Sequence, residues 1–388
     1  LGLPTLFVLD CAHAGRVVRA LAEHVEATSP HLGGPWPLVA LGATHANERL
    51  PRSSSFPADV FTACLTRPLE MALRLASQSP LSRGAAHYAF GAAEPAGLVG
   101  AIPGTLADRR SPLGELHWVL TAVTDSIAWQ LLPQPLFRRL FRQDVFLSAL
   151  LRNFVLAGRV MWQLQATVVS EPALPPMHSH PLWQAWDHAV DLCLSQLPGL
   201  APPSPLLRAP GELHGGYSAQ LPPACPPEYV ATAFFTEQLT ALEISLAHAL
   251  RAPPGKPDAR PLQHLPLLLQ AMLSQSHRVR ALQLLAAYLR LGGWAVQQAL
   301  NVGLFQYVAK LLHLPASELG PLLLHVWATI LCFDRSCQGE CLKANGHVYF
   351  VNVLLHAGLC RPPASSSASP PASPRVAALT SPLASPVA

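Results

Sequence analysis

Cys11 stands just past a run of β-prone apolar residues, TLFVL, that stops at Asp10. A thiol at the C-terminal end of a strand sits where α/β sheets often place chemistry, because loops converge there and helix N-termini point inward. As a nucleophile it needs an imidazole base within hydrogen-bond reach. His13 lies two residues on, and in a turn its ring points elsewhere, so the expectation is an unreactive thiol, with a cysteine peptidase-like enzyme using Cys11 as the alternative. Cys332, Cys337 and Cys341 are the closest set among eight cysteines, but their spacing matches no common zinc pattern and two of them read as small buried helix residues. His178 and His180 share a proline-bounded loop with no third ligand. No metal and no cofactor is expected.

The elements that must position such groups centre on residues 111–164, the longest stretch whose apolar residues keep a helical period. A first helix opens on Ser111, with Pro112 at the first helical position and Glu115 in the first turn, a start signal in which side-chain oxygens meet free N–H groups. Leu116, Val119, Leu120, Val123 and Ile127 fall three or four apart on one face. Pro133 and Pro135 break the pattern, since proline removes a donor and forces its predecessor out of the helical region. A second helix carries the apolar stripe Phe137, Leu140, Phe141, Leu147, Leu151, Phe154 and Val155, with Arg138, Arg142, Arg152 and Arg159 along one side of it. That arginine face is expected to be solvated, a docking surface for an acidic partner being the alternative.

Composition sets further bounds. A chain of 388 residues can bury a sizeable core and favours two or three domains. Only 12% of residues are charged, and the net charge of +4 comes from scattered arginines, so nucleic acid is not an expected partner. The longest nearly uncharged run with helical character, residues 322–333, is too short to span a bilayer and holds His325, and membrane insertion is not expected. Eight cysteines over this length do not form a disulfide framework, which favours the reducing cytosol. The sequence starts at Leu1 directly on a strand-like run, so a preceding segment is expected.

Taken in order, TLFVL reads as a buried parallel strand, Val17, Val18, Leu21 and Val25 give a helix period, and a second apolar run follows at residues 37–42. Strand, helix and strand predict a parallel crossover. Residues 58–66 and 68–76 read as two helices parted at Pro68, and residues 77–106 as an irregular connection rich in Gly, Ala, Ser and Pro. Trp183, Trp186, Val190, Cys193, Leu194 and Leu197 mark a further helix, after which residues 198–227 are proline-rich and read as disordered. Helicity resumes at residue 234. An offset of 43 residues sets Gly303 over Gly346, Tyr307 over Phe350, Val308 over Val351 and Leu311 over Leu354, with Leu284 over Trp327 and Leu289 over Cys332 upstream. A helical repeat near this length points to armadillo or HEAT units, which mostly bind other proteins. The Pro/Ser tail after Cys360 has no period and reads as disordered.

Several collinear stretches together resemble the Raptor family, the regulatory scaffold subunits of TOR complex 1. They include LFVLDCAHAG (residues 6–15), ANERLP (46–51), FPADVFTACLTRPLEMAL (56–73), LADRRSPLGELHWVLTAVTDSIAW (106–129), LFRQDVFLSALLRNFVLAGRVM (140–161), LWQAWDHAVDLCLSQLP (182–198), FFTEQLTAL (234–242) and the long run at 272–312. The resemblance implies a fold of two kinds: an α/β caspase-like domain, represented by its C-terminal part, followed by an all-α armadillo/HEAT-type solenoid. The domains expected are residues 1–110 for the caspase-like part, 111–197 for a helical segment joining the domains, 198–230 for a Pro-rich insertion, 231–357 for armadillo-like repeats and 358–388 for a disordered tail. A C-terminal WD-repeat propeller of the family lies outside this sequence.

Family members are non-catalytic adaptors that dock on the TOR kinase, recruit substrates through a short TOR-signalling peptide and meet Rag GTPases at the lysosome. The implied location is the cytoplasm with recruitment to the lysosomal surface, in nutrient-dependent control of cell growth. The tail after Cys360 departs from the family and weakens the Rag expectation, because the later solenoid is absent there. Cys11 matches the place of the caspase nucleophile and is expected to be vestigial. The substrate peptide, a phenylalanine followed by acidic and aliphatic residues, is implied to meet Arg109 of ADRRSPL and Tyr307 and Lys310 of FQYVAKLL. An arginine fork and an ammonium suit carboxylates, and an aromatic ring can wall a phenylalanine pocket.

Overall fold

The structure is a computed structural model; it describes residues 4–32, 38–78, 98–200, 229–251, 262–311, 316–343 and 345–356. The expected Pro-rich insertion and Pro/Ser tail fall largely on residues 201–228 and 357–388, outside the described residues, as does most of the irregular connection before residue 98.

Strand β1 (Thr5–Leu9) leads through helix α1 (Ala14–Leu32) to β2 (Leu38–Gly42), and the two strands pair in parallel with Thr5 opposite Leu38 and Leu9 opposite Gly42. This is the crossover that the sequence predicts. The expectation for β1 itself needs correcting. It is β2 that is buried along its whole length, whereas β1 is half-exposed, with Val8 43% accessible, because among the described residues β1 has a neighbour on one side only. A third strand, β3 (Val169–Glu171), pairs antiparallel with β2 and was not foreseen: three residues, VSE, offer no alternation to read. Through β3 the segment after residue 111 returns to the sheet.

Helices α2 (Val60–Thr66) and α3 (Pro68–Gln78) part at Arg67, as the proline requires. The carboxylate of Asp10, at the end of β1, accepts hydrogen bonds from the Thr62 amide (3.2 Å) and hydroxyl (2.6 Å), tying α2 to that end of the sheet. A short helical turn, α4 (Leu98–Ala101), precedes α5 (Pro112–Leu131). Ser111 caps α5 by accepting from the Gly114 amide at 3.3 Å, and its hydroxyl donates to the Asp108 carbonyl at 2.7 Å. Gly114 permits this knot, since a Cβ there would lie 1.9 Å from the Asp108 oxygen.

Where the sequence shows one apolar face on α5, the structure buries the helix nearly all round. Its neighbours explain that: α3, α6 (Gln134–Phe141), α7 (Val145–Gln163), α8 (Leu182–Leu200) and α10 (Leu265–Met272) all pack on it. A helix buried on every side is the core of its protein. The second helix of the sequence reading is in fact two, α6 and α7, broken at residues 142–144 where the Asp144 carboxylate accepts from the Leu147 amide at 2.7 Å and starts a new helix. Helix α7 is the one described helix long and apolar enough by composition to cross a membrane; here Leu151, Phe154, Val155 and Val160 pack inward against α2, α3 and α5.

The helix break turns most of the arginine face inward, against expectation. Arg142 and Arg152 both reach the buried Asp125 of α5, Arg159 pairs with Asp187 of α8 at 2.7 Å, and of the four only Arg138 is exposed. Asp125, 1% exposed, needs cations where water is scarce, and Arg142 at the end of α6 with Arg152 of α7 supplies them.

The remaining helices are α9 (Phe234–Arg251), α11 (Arg278–Leu289), α12 (Gly293–Asn301), α13 (Leu304–Leu311), α14 (Ala316–Phe333), α15 (Ser336–Lys343) and α16 (Gly346–His356). They stack in succession, with α10 on α11, α11 on α14 and α14 on α16. The 43-residue offset survives only in part: Leu284 and Trp327 are both buried, yet Leu289 is buried where Cys332 is exposed, and Val308 where Val351 is exposed. The buried pair of α16, Tyr349 and Val353, matches Leu304 and Val308 two residues beyond that offset, because the packing partner sets the helix phase. Cys337 and Cys341 are buried in α15, and burial pushes both thiols up.

Candidate functional site

The loop before α5 delivers Arg109 to the C-terminal end of α10. Its Nη1 donates to the Leu273 carbonyl at 3.2 Å, and the guanidinium lies 5.3 Å from the centre of the Trp118 ring. Arg278, at the start of α11, donates to the carbonyls of Met272 (3.1 Å) and Leu273 (3.5 Å), so two guanidiniums share one acceptor. Tyr307 reaches the same helix end from α13, its hydroxyl accepting from Gln270 Nε2 at 3.1 Å. Lys310, one turn on and exposed, has its ammonium 5.8 Å from the Tyr307 ring. Of the three residues singled out from the sequence, Arg109 and Tyr307 thus meet at the end of α10 from elements far apart in the chain, and Lys310 is placed only by its neighbour Tyr307 on the same helix.

Electrostatics tie Arg109 to Tyr307. Burial pushes the Arg109 guanidinium down from its ordinary value; the Tyr307 phenol opposes this and Arg278 adds to it. Burial pushes the Tyr307 phenol up, Asp125 pushes it further, and Arg142, Arg152 and Arg109 oppose. The Asp125 cluster therefore lies within electrostatic reach of the Tyr307 hydroxyl.

On the other flank of Arg109 opens a cleft of about 660 Å³, walled by Trp118 and Phe235 and rimmed by Arg109, Arg110, Gln275 and His277. Trp118 and Phe235 stack with ring centres 3.6 Å apart, and Arg110 Nη2 donates to Gln275 Oε1 at 2.6 Å. Tyr307 and Lys310 do not line this cleft. Its far wall, Tyr229 to Thr232, is pinned by Glu115: the buried carboxylate accepts from the Thr232 amide and hydroxyl, each at 2.8 Å, and from the Tyr229 hydroxyl. A charged rim over an aromatic floor suits a chain bearing both acid and ring. Trp118, Phe235, His277 and Gln270 were missed from the sequence as site residues. For Gln270 a signal existed, a lone amide inside the apolar run LPLLLQAM.

Three histidines of this and the neighbouring elements hold a proton less tightly than usual. Burial pushes His117, His264 and His277 down; the Leu106 carbonyl partly offsets this at His117, where Arg152 and Arg109 add to it, and Arg280 adds to it at His277. Each binds its proton less tightly folded than unfolded, so full stability is present above the ordinary histidine value of about 6.5. As pH falls through that value the unfolded chain protonates first and stability drops, down to the folded-state values. A urea midpoint at about pH 5.5 below that at about pH 7.5 is expected; an unchanged or higher midpoint would contradict it.

Cys11 is exposed in the turn after β1. His13 takes a left-handed backbone conformation (φ 60°), and its Nδ1 lies 3.1 Å from the Ala46 carbonyl, engaged with the backbone as the turn geometry suggests. Beside it, a shelf lined by His13, Arg49, Arg52 and Phe56 is open to solvent.

Fold and site define a mainly helical protein with a small mixed sheet and a cationic, aromatic cleft between the start of α5, the start of α9 and the turn from α10 to α11. No protein-family model matches the chain. It is 43% identical over 353 residues to "Regulatory-associated protein of TOR 2" of Oryza sativa, covering 90% of this chain and 23% of that protein. It is 43% identical to "Target of rapamycin complex 1 subunit mip1" of Schizosaccharomyces pombe (91% and 26%), and 46% identical to "Protein raptor homolog" of Dictyostelium discoideum (81% and 19%). The crystal structure of Chaetomium thermophilum Raptor superposes with a TM-score of 0.73 at 42% identity, over 94% of this chain and 30% of that one. The chain belongs to the Raptor family, and it spans about a quarter of the length of the curated relatives it matches.

Proposed function

We propose that this chain is a non-catalytic scaffold part of TOR complex 1 that presents substrates to the TOR kinase by holding a short TOR-signalling peptide. In this reading residues 1–110 belong to a caspase-like unit with Cys11 vestigial, and residues 231–357 to an armadillo-type solenoid. The peptide lies where the two meet. The observation that supports it is the convergence of Arg109, from before α5, and Tyr307 of α13 on the end of α10, with the Lys310 ammonium near the Tyr307 ring. Both guanidiniums there donate to backbone carbonyls, those of Met272 and Leu273, which leaves their charge for an incoming carboxylate. The Trp118 and Phe235 wall offers a surface for a phenylalanine. Docking on the kinase, contact with Rag GTPases and a cytoplasmic location with recruitment to the lysosomal surface belong to the same proposal, and rest on likeness to proteins named as TOR complex 1 subunits.

The test is calorimetric titration with a short peptide holding phenylalanine followed by acidic and aliphatic residues. Binding in the micromolar range, roughly −8 kcal/mol, is expected. Arg109→Ala should weaken it by about 1.5–3 kcal/mol, the worth of a charged hydrogen bond, and Lys310→Ala by less because that ammonium is exposed. Unchanged titrations for both variants would remove the site.

A further inference from the structure

No bond from Arg142 to Arg109, Tyr307 or Lys310 is present among the described residues, yet its side chain ties the turn into α13, the helix of Tyr307 and Lys310, to the core, beside the bond from Asn301 to Gln134 at 2.9 Å. Its Nη2 and Nη1 donate to the two carboxylate oxygens of Asp125 at 2.9 and 3.4 Å. Its Nε donates to the Val302 carbonyl at 2.6 Å, and Nη1 also donates to the Phe141 carbonyl at 2.7 Å. The guanidinium rests 4.6 Å over the Phe137 ring, and the side chain is only 10% exposed. Val302 ends α12, and Gly303 forms the turn into α13, the helix that carries Tyr307 and Lys310.

Gly303 shows how closely the arginine is fitted. It sits at φ +92°, and a Cβ there would come within 2.8 Å of Arg142 Cδ. Arg152 offers a contrast. It donates to the same carboxylate at 3.3 Å and is 22% exposed, and no bond from it to the α12–α13 turn is present among the described residues. One arginine therefore spans from α5 to the turn, and the other only completes the charge.

The geometry points to Arg142 as a positioning residue of the peptide site, which fixes Tyr307 and Lys310 by clamping the α12–α13 turn onto Asp125. The inference rests on the peptide-site reading above and names a group that acts through others. The chemistry favours a guanidinium here: a planar fork can meet a carboxylate and a carbonyl at once, which a lysine ammonium on its stem cannot do in the same geometry. A site loosened by about an ångström loses much of its binding without losing its contact groups.

The experiment uses the whole chain with Arg142→Met, Arg142→Lys and Arg152→Met, each followed by hydrogen exchange without peptide and by peptide titration. Arg142→Met should speed amide exchange in α13 and weaken the peptide about tenfold, while Arg152→Met should leave α13 exchange at the wild-type rate and stay within about threefold in affinity. Arg142→Lys keeps a cation beside Asp125, so it guards against a variant that merely fails to fold; it should still speed α13 exchange, in contrast to Arg152→Met. Equal effects of Arg142→Met and Arg152→Met would show that charge alone matters and would overturn the inference, as would unchanged exchange in α13 for both Arg142 variants. Should the unmodified chain bind no peptide, the peptide reading fails on its own, and the exchange data still decide whether Arg142 holds α13.

Discussion

Asp125→Ala is expected to lower the stability of the chain by about 3–5 kcal/mol, as removal of one partner from a buried ion pair does. The carboxylate is 1% exposed at the middle of α5, and it is shared by Arg142 and Arg152. Its removal leaves the Arg142 guanidinium, itself 10% exposed, with two backbone carbonyls and an aromatic face but no counter-charge. Arg152 is freer to turn toward solvent, so the reverse change, Arg152→Met, should cost much less. Attraction between the ions is not the main source of the effect; the cost of a charge stranded away from water is. Urea unfolding of the two variants measures the difference, and a cost below about 1 kcal/mol for Asp125→Ala would show that water reaches the cluster.

Why this cluster escaped the sequence is instructive. Arg138, Arg142, Arg152 and Arg159 fall on one side of a stripe if residues 137–159 form one helix, and long cations on such a side ordinarily face water. Asp144 ends that inference: its carboxylate caps a new helix, and the phase of everything after it changes. The stop at Pro133 was legible because proline acts through its own ring, whereas the break at residues 142–144 depends on a cap that competes with helix continuation. Asp125 gave no hint of its role, since an acid in a helix period reads as a solvated turn of α5 until the helix is known to be buried on all sides.

The site shows the same division. Arg109, Tyr307 and Lys310 came from a resemblance, not from periodicity, and the fold brings the first two to one helix end. Spacing could not have joined residues from α13 to the loop before α5, because their proximity is set by how α10 packs on α5 and touches α13. The β1–α1–β2 crossover was legible from two short apolar runs on either side of a helix period, and the later helices from their own periods. The phase of the last helix was not: α16 turns Tyr349 and Val353 inward instead of Val351, a choice made by α14.

Trp118→Ala should cost about 3–5 kcal/mol, the range for deleting a large buried aromatic side chain. The ring is 7% exposed, stacks on Phe235 at 3.6 Å and lies under the Arg109 guanidinium. Its Nε1–H is buried without an acceptor, which makes the choice of replacement informative. Trp118→Phe keeps a ring against Phe235 and removes the unsatisfied donor, so its loss of volume is partly offset and the cost should stay below about 2 kcal/mol. The two variants also separate packing from recognition. Alanine removes both the cleft wall and the platform under Arg109, and the peptide should bind about tenfold more weakly. Phenylalanine retains the platform and should bind within about threefold of wild type. Circular dichroism melts and peptide titrations on both variants give the two readouts; binding unaffected by Trp118→Ala, in a protein whose melting temperature has dropped, would place the peptide away from this wall and leave Arg109, Tyr307 and Lys310 to hold it.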